Sequence, residues 1–145
     1  MKDLREYITV EESESDVLRP NSKSELKAII RHRIGQYGPK CDLNDIDVSK
    51  VTDMSNLFFS SKFNGDISQW DVSSVRNMNG MFYNSQFNGD ISKWDVHNVK
   101  SMFNMFNESR FNGDISNWDV GNVRDMAGMF FMSPLEGKEP SWYKK

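Results

Sequence analysis

The sequence Phe-Asn-Gly-Asp-Ile-Ser occurs at residues 63–68, recurs at 87–92 and occurs a third time at 111–116. Successive copies are offset by the same 24 positions, and nothing is inserted or deleted between them. A fixed period of this length is typical of solenoids, in which each repeat forms one turn and packs against its neighbours. The period therefore predicts a repeat solenoid.

The same register extends beyond the three clear copies. Extended backwards by one period, it aligns Ile-Asp-Val at 46–48 with Trp-Asp-Val at 70–72. Extended forwards, it aligns Trp142 with Trp118. The outer copies have diverged, but the alignment of their apolar positions is retained. We therefore expect a four-coil solenoid over residues 39–134 and a C-terminal cap, formed by a degenerate half-repeat, over residues 135–145.

Residues 22–38 are predicted to form a capping helix. Ser22 followed by Glu25 fits a capping box, and apolar side chains recur every three or four residues through this stretch. A solenoid needs a cover for its first coil, and an amphipathic helix directly before the repeats can supply it. Residues 1–21 are expected to be a lead-in to this helix.

Each coil is predicted to contain one short strand and one short helix. Val75, Met78 and Phe82 have helical spacing, which predicts one or two helical turns over residues 75–84. The segment 67–70 is the best candidate for the strand. The predicted fold class is therefore an α/β repeat solenoid with an N-terminal capping helix.

Composition narrows the classes of function. The chain has 18 Lys and Arg against 21 Asp and Glu, so it lacks the basic surface expected of a nucleic-acid-binding protein. No apolar run is long enough to span a bilayer or to form a signal peptide. These features lead us to expect a cytoplasmic protein, with a virion or surface-associated location as the alternative. One cysteine, Cys41, excludes an intramolecular disulfide.

The repeated run over residues 42–134 resembles a known family. Its pattern is Phe-Asn-Gly-Asp-Ile-Ser-x-Trp-Asp-Val-x-x-Val-[Arg/Lys]-x-Met-x-x-Met-Phe. It looks like the bacterial surface-protein repeat of about 25 residues that was first catalogued as a domain of unknown function in mycoplasma lipoproteins. The resemblance implies a leucine-rich-repeat-like solenoid and a role in surface display or interaction, in bacteria or phages. It implies no catalytic residues.

Two fixed polar columns invite a chemical interpretation. Asp66, Asp90 and Asp114 should stack along the solenoid, and stacked carboxylates could bind calcium. We favour the interpretation that each carboxylate instead accepts backbone N–H groups at a turn. The asparagines of the same motif are likewise expected to bond neighbouring backbone or to adopt a left-handed conformation.

Positions that vary between copies are better candidates for binding, because packing does not dictate their identity. One set forms a possible apolar patch, unless its aromatic members fill gaps between coils. A second set lies in the strand segment and would form a column on one face of the solenoid, where leucine-rich repeats commonly bind. The apolar set is Phe59, Tyr83, Phe103, Phe131 and Met132. The strand-face column is Asp45, Gln69, Lys93 and Asn117.

Catalysis is not predicted. His32 and His97 are isolated in the sequence, Cys41 has no histidine nearby, and no phosphate-binding loop follows a predicted strand. We expect a non-catalytic protein–protein interaction module without a cofactor, which binds another protein and is a monomer rather than an obligate oligomer. The alternatives are a structural or assembly component of a virion or cell surface, and a calcium-dependent adhesion module.

Overall fold

The computed structural model describes residues 18–144. Within this range it contains one helix, α1 (Lys23–Tyr37), and the remaining residues form turns and isolated backbone bridges. The Ser22 hydroxyl accepts a hydrogen bond from the Glu25 amide (3.2 Å), and the Glu25 carboxylate accepts one from the backbone N–H of Asn21 (2.8 Å), one residue before the cap. The helix ends before Gly38, whose φ of 92° is left-handed and stops a right-handed helix.

Helix α1 covers one end of the stacked repeats. Its side chains Leu26 and Ile29 are fully buried and belong to the single apolar core. Lys23 donates a hydrogen bond to Ser55 (2.8 Å), which lies in the first copy of the repeat. Burial of these side chains against the repeats stabilises the helix more than its intrinsic helix propensity does. The lead-in lies mostly outside the described residues.

Equivalent residues of adjacent copies lie side by side in the structure. We number the copies 1 to 4, at residues 39–62, 63–86, 87–110 and 111–134. Parallel backbone bridges join equivalent positions, namely Asp53–Asn77, Asn77–Ser101 and Ser101–Asp125. Their phenylalanine rings also stack, at centroid distances of 5.5, 5.5 and 5.8 Å along Phe58, Phe82, Phe106 and Phe130.

The prediction of a short helix over residues 75–84 of each copy is wrong. Alternate N–H groups of this segment donate to the next copy; for example, Phe82 donates to the Met105 carbonyl at 2.9 Å. The N–H groups between them close tight turns three residues back, as Tyr83 does to Gly80 (3.0 Å). Two residues per copy also have positive φ, which a right-handed helix does not allow. We call residues 54–60 and their equivalents the turn segment.

The predicted strand around residues 67–70 is also absent from the described part of the chain. Asp66 forms an isolated bridge with Asp42, and the chain then turns, because the Trp70 amide donates to the Ile67 carbonyl (3.2 Å). Asp66 and Asp71 each accept an N–H from the residue two positions later, at 2.9 and 3.0 Å. These side-chain turns bend the backbone too often for a continuous strand to form.

Tryptophan forms a second column, whose last member is partly buried and whose other members are buried. Trp70, Trp94, Trp118 and Trp142 stack at centroid distances of 6.4 Å. Each indole N–H donates to a backbone carbonyl of the preceding copy, at 2.9–3.0 Å, so the buried donors are all satisfied. Because Trp142 continues the column past copy 4, the C-terminal segment packs on the last copy in the register of the repeat.

Candidate interaction surface

Large apolar side chains are exposed along the turn segments. Phe59, Phe103, Phe131 and Met132 are exposed by 52%, 42%, 53% and 61%, whereas the neighbouring core phenylalanines are fully buried. Their exposure does not fit the alternative in which Phe103 and Phe131 fill gaps between coils. Tyr83, the remaining member of the predicted set, is partly buried.

The exposed side chains fall into separate groups instead of one continuous patch. Phe59 stacks on Tyr83 at 5.1 Å between ring centroids, with an interplanar angle of 14°. The next position of that column is Asn107, which is buried and donates its amide to the Gly128 carbonyl (3.2 Å). Asn107 therefore interrupts the aromatic column and leaves Phe131 at the far end of the molecule.

Two small cavities flank Phe59, between α1 and copy 1. Their volumes are about 270 and 260 Å³, and both are lined by Lys27, Leu57 and Phe59. The larger one is also lined by Ile30, Arg31 and Ile34 of α1 and by Ser61. We call Phe59, Tyr83 and these two cavities the Phe59 groove.

The Phe59 groove has a positively charged rim. Lys27 and Arg31 project from successive turns of α1, and no carboxylate among residues 18–144 forms an ion pair with either of them. Among the described residues, the groove thus combines an apolar floor with positive charges that no ion pair offsets.

A larger cavity of about 770 Å³ lies at the other side of α1. Arg33 and Asp45 form part of its wall and are joined by two hydrogen bonds of 2.9 and 2.8 Å. The bond to Arg33 lowers the pKa of the Asp45 carboxyl, and the bond to Asp45 raises the pKa of the guanidinium. This pair ties α1 to copy 1.

The strand-face column lies on turns and not on strands. Its members Asp45, Gln69, Lys93 and Asn117 are all exposed at equivalent positions of successive copies. Asp45 is engaged by Arg33, and the Gln69 side chain bonds only weakly to Ser68 (3.4 Å). In chain order, the side chains of the column thus end in a carboxylate, an amide, an ammonium group and an amide.

The motif aspartates act as turn acceptors. Asp66, Asp90 and Asp114 each accept the N–H of the serine two residues later, at 2.9, 2.9 and 3.0 Å. The pKa of Asp66 is lowered first by a hydrogen bond from Asn44 and then by Ser68, and serine hydroxyls lower the pKa of the other two. Among residues 18–144 no group of three or more His, Cys, Asp and Glu side chains could hold a metal ion. The geometry agrees with the hydrogen-bonding interpretation.

The family model described as Mycoplasma protein of unknown function, DUF285, matches residues 32–141. The chain belongs to this family. The match starts within α1 and ends within the C-terminal segment, so it spans all four copies of the repeat. No curated protein and no solved structure matched the chain. Within residues 18–144 no helix is long and apolar enough to cross a membrane.

For this member of the family, sequence reasoning found the exposed aromatics but missed the residues of α1 beside them. Lys27 and Arg31 lie off the apolar stripe of α1, where charged side chains are ordinary. Their distance from Phe59 in the sequence gave no signal that they share a groove. Lys27 and Phe59 line the same two cavities because α1 packs against copy 1.

Proposed function

We propose that this protein is a non-catalytic protein–protein interaction module built on a leucine-rich-repeat-like solenoid of four coils. The solenoid is supported by the parallel bridges and ring stacks that join equivalent residues of adjacent copies. In this proposal the repeats are the scaffold, and the partner is bound by residues that differ between copies.

The exposed Phe59 ring carries the proposal. An aromatic ring that is half exposed, held in place by stacking on Tyr83 and flanked by cavities is the kind of residue that dominates binding energy at protein interfaces. Stacking also keeps the ring from losing much conformational freedom when a partner binds. The basic rim adds a preference for a partner segment that carries an apolar side chain between carboxylates.

The test compares partner recovery by three forms of the protein. Wild type, Phe59→Ala and Phe131→Ala are used to capture proteins from an extract of the organism that encodes the chain. We expect Phe59→Ala to lose the captured partner while keeping its melting temperature, and Phe131→Ala, an equally exposed site elsewhere, to keep both. Equal recovery by Phe59→Ala and wild type would contradict the proposal.

A second candidate function is assembly through the C-terminal end. Phe131 and Met132 are adjacent and both more than half exposed, beside a cavity of about 280 Å³. If this end joins separate molecules of the protein, light scattering should show a molecular mass that rises with protein concentration. The double variant Phe131→Ser/Met132→Ser should then stay monomeric, and a concentration-independent monomer in the wild type rejects assembly by this route.

A further inference from the structure

The motif asparagines form a hydrogen-bonded ladder along the outside of the repeats. The Asn64 side-chain oxygen accepts the backbone N–H of Asn88 at 2.8 Å, and Asn88 does the same for Asn112, also at 2.8 Å. All three side chains are exposed to solvent. The ladder therefore orients the Asn64 and Asn88 amides, each through the copy that follows it.

Asn112 is at the open end of this ladder. One repeat period further along the chain lies Glu136, whose backbone N–H donates to the Ser133 carbonyl at 3.0 Å and not to Asn112. No donor among residues 18–144 bonds to the Asn112 side-chain oxygen. Asn112 thus has the same local sequence as Asn64 and Asn88 but lacks their restraint.

Each of these asparagines precedes a glycine, and that pairing permits a spontaneous reaction. The glycine nitrogen attacks the asparagine side-chain carbonyl carbon, forming a C–N bond and a five-membered succinimide. The bond from that carbon to the side-chain nitrogen breaks, and the nitrogen leaves as ammonia with the proton that the glycine amide gives up. Water then opens the ring to aspartate or isoaspartate. Glycine favours the attack because it has no side chain to obstruct it.

We propose that Asn112 is a site of selective deamidation in the folded protein. Asn64 and Asn88 must break their hydrogen bond to the next copy before the side-chain carbonyl is free to move toward the following glycine nitrogen, whereas the Asn112 oxygen has no such bond to the described residues. One typical hydrogen bond corresponds to a rate difference of roughly threefold to tenfold.

A fourth Asn-Gly pair extends the expected order of rates. Asn79 precedes Gly80, and its side-chain oxygen accepts hydrogen bonds from the Phe103 amide (2.7 Å) and from the Ser101 hydroxyl. Two hydrogen bonds therefore hold the Asn79 side chain, whereas one holds each of Asn64 and Asn88. Asn79 should therefore react more slowly than Asn64 and Asn88, and Asn112 should react fastest.

The product changes the surface at one end of the molecule only. Deamidation at Asn112 places a new carboxylate two positions from Asp114, which already carries an exposed negative charge. No backbone N–H of a following copy depends on the Asn112 oxygen. The modified protein should therefore keep its fold and gain one negative charge.

The experiment incubates the full chain at mildly alkaline pH and follows each asparagine by peptide mass spectrometry. Trypsin cleaves after Lys62 and Arg110, so Asn64 and Asn112 are released at the start of separate peptides, and fragmentation separates Asn79 from Asn88. We expect conversion at Asn112 to be about threefold or more faster than at Asn64 and Asn88. Equal rates at Asn64, Asn88 and Asn112 in the folded protein would overturn the proposal.

The same measurement in concentrated urea is the control. Unfolding removes the ladder, and the three asparagines have the same neighbours from Phe to Ser, so their rates should converge. Persistence of the faster rate at Asn112 in urea would show that sequence and not structure causes it, which also overturns the proposal.

Discussion

At the scale of single residues, hydrogen bonds from backbone N–H groups to short polar side chains shape the chain where regular secondary structure is absent from the described residues. In copy 2, Asp66, Asp71 and Asn77 each accept the N–H of the residue two positions later, at 2.9, 3.0 and 2.9 Å. A carboxylate or amide oxygen is needed at each of these corners, because the backbone there has no carbonyl partner for the N–H. These polar residues therefore shape the chain at its corners, and two of them, Asp66 and Asp71, are fixed in the motif.

Acid should weaken the fold through these carboxylates. The pKa values of Asp90 and Asp114 are lowered by their serine hydroxyls, so in the folded state these groups stay ionised to lower pH than in the unfolded chain. Their contribution is complete above the unfolded pKa, about 3.9, and is lost as pH falls through the folded value. We predict that Asp90→Asn/Asp114→Asn, which keeps the oxygen acceptors, flattens the acid limb of a plot of unfolding free energy against pH. An unchanged acid limb would contradict this.

At the scale of structural elements, the turn segment depends on an alternation of asparagine and glycine. Asn56, Gly80, Asn104 and Gly128 occupy equivalent positions, and all have positive φ. A Cβ atom at Gly80 would lie 2.3 Å from the Asn56 side-chain oxygen, and one at Gly128 would lie 2.2 Å from that of Asn104. Each asparagine side-chain oxygen therefore lies close to where a Cβ atom of the equivalent residue in the next copy would be, and that residue is a glycine.

The alternation can be tested by a double-mutant cycle. Gly80→Ala should destabilise the protein through the clash with Asn56 and through the left-handed conformation, which alone costs an alanine about 1–2 kcal/mol. In the Asn56→Gly background the clash is absent, so the same substitution should cost less. Urea unfolding measures the free-energy cost of Gly80→Ala in both backgrounds.

Gly35→Ala in α1, where no atom lies within 4 Å of the added Cβ, is the control and should be neutral or stabilising. Equal costs in the two backgrounds would contradict the alternation.

At the scale of the whole molecule, the core is a set of ring columns closed at both ends. Leu26 and Ile29 of α1 belong to the core at one end, and Tyr143 packs edge-on against Phe130 at the other, at 5.0 Å. The columns run through copies that are also joined by backbone hydrogen bonds, such as the one from the Phe82 N–H to the Met105 carbonyl (2.9 Å). Stability is therefore expected to depend on contacts between copies more than on structure within any one copy.

Removal of divalent cations should leave this fold intact. The motif aspartates already accept backbone and hydroxyl hydrogen bonds, so calcium is not needed to offset their stacking. We predict the same melting temperature in EDTA and in millimolar calcium, measured by circular dichroism. A lower melting temperature in EDTA would restore the calcium-dependent adhesion hypothesis.

The sequence by itself determined which residues are neighbours and where α1 lies. A constant repeat period places equivalent side chains beside one another, as the stacked rings of Phe58 and Phe82 show, and the cap formed by Ser22 and Glu25 is local. Only the tertiary structure decided the path of the chain within each copy. Alternate N–H groups of the turn segment donate to the next copy, and those between them close turns three residues back, so the helix that local periodicity predicted does not form. It also decided the candidate site, because the burial of Asn107 and the approach of α1 to Phe59 depend on residues distant in sequence.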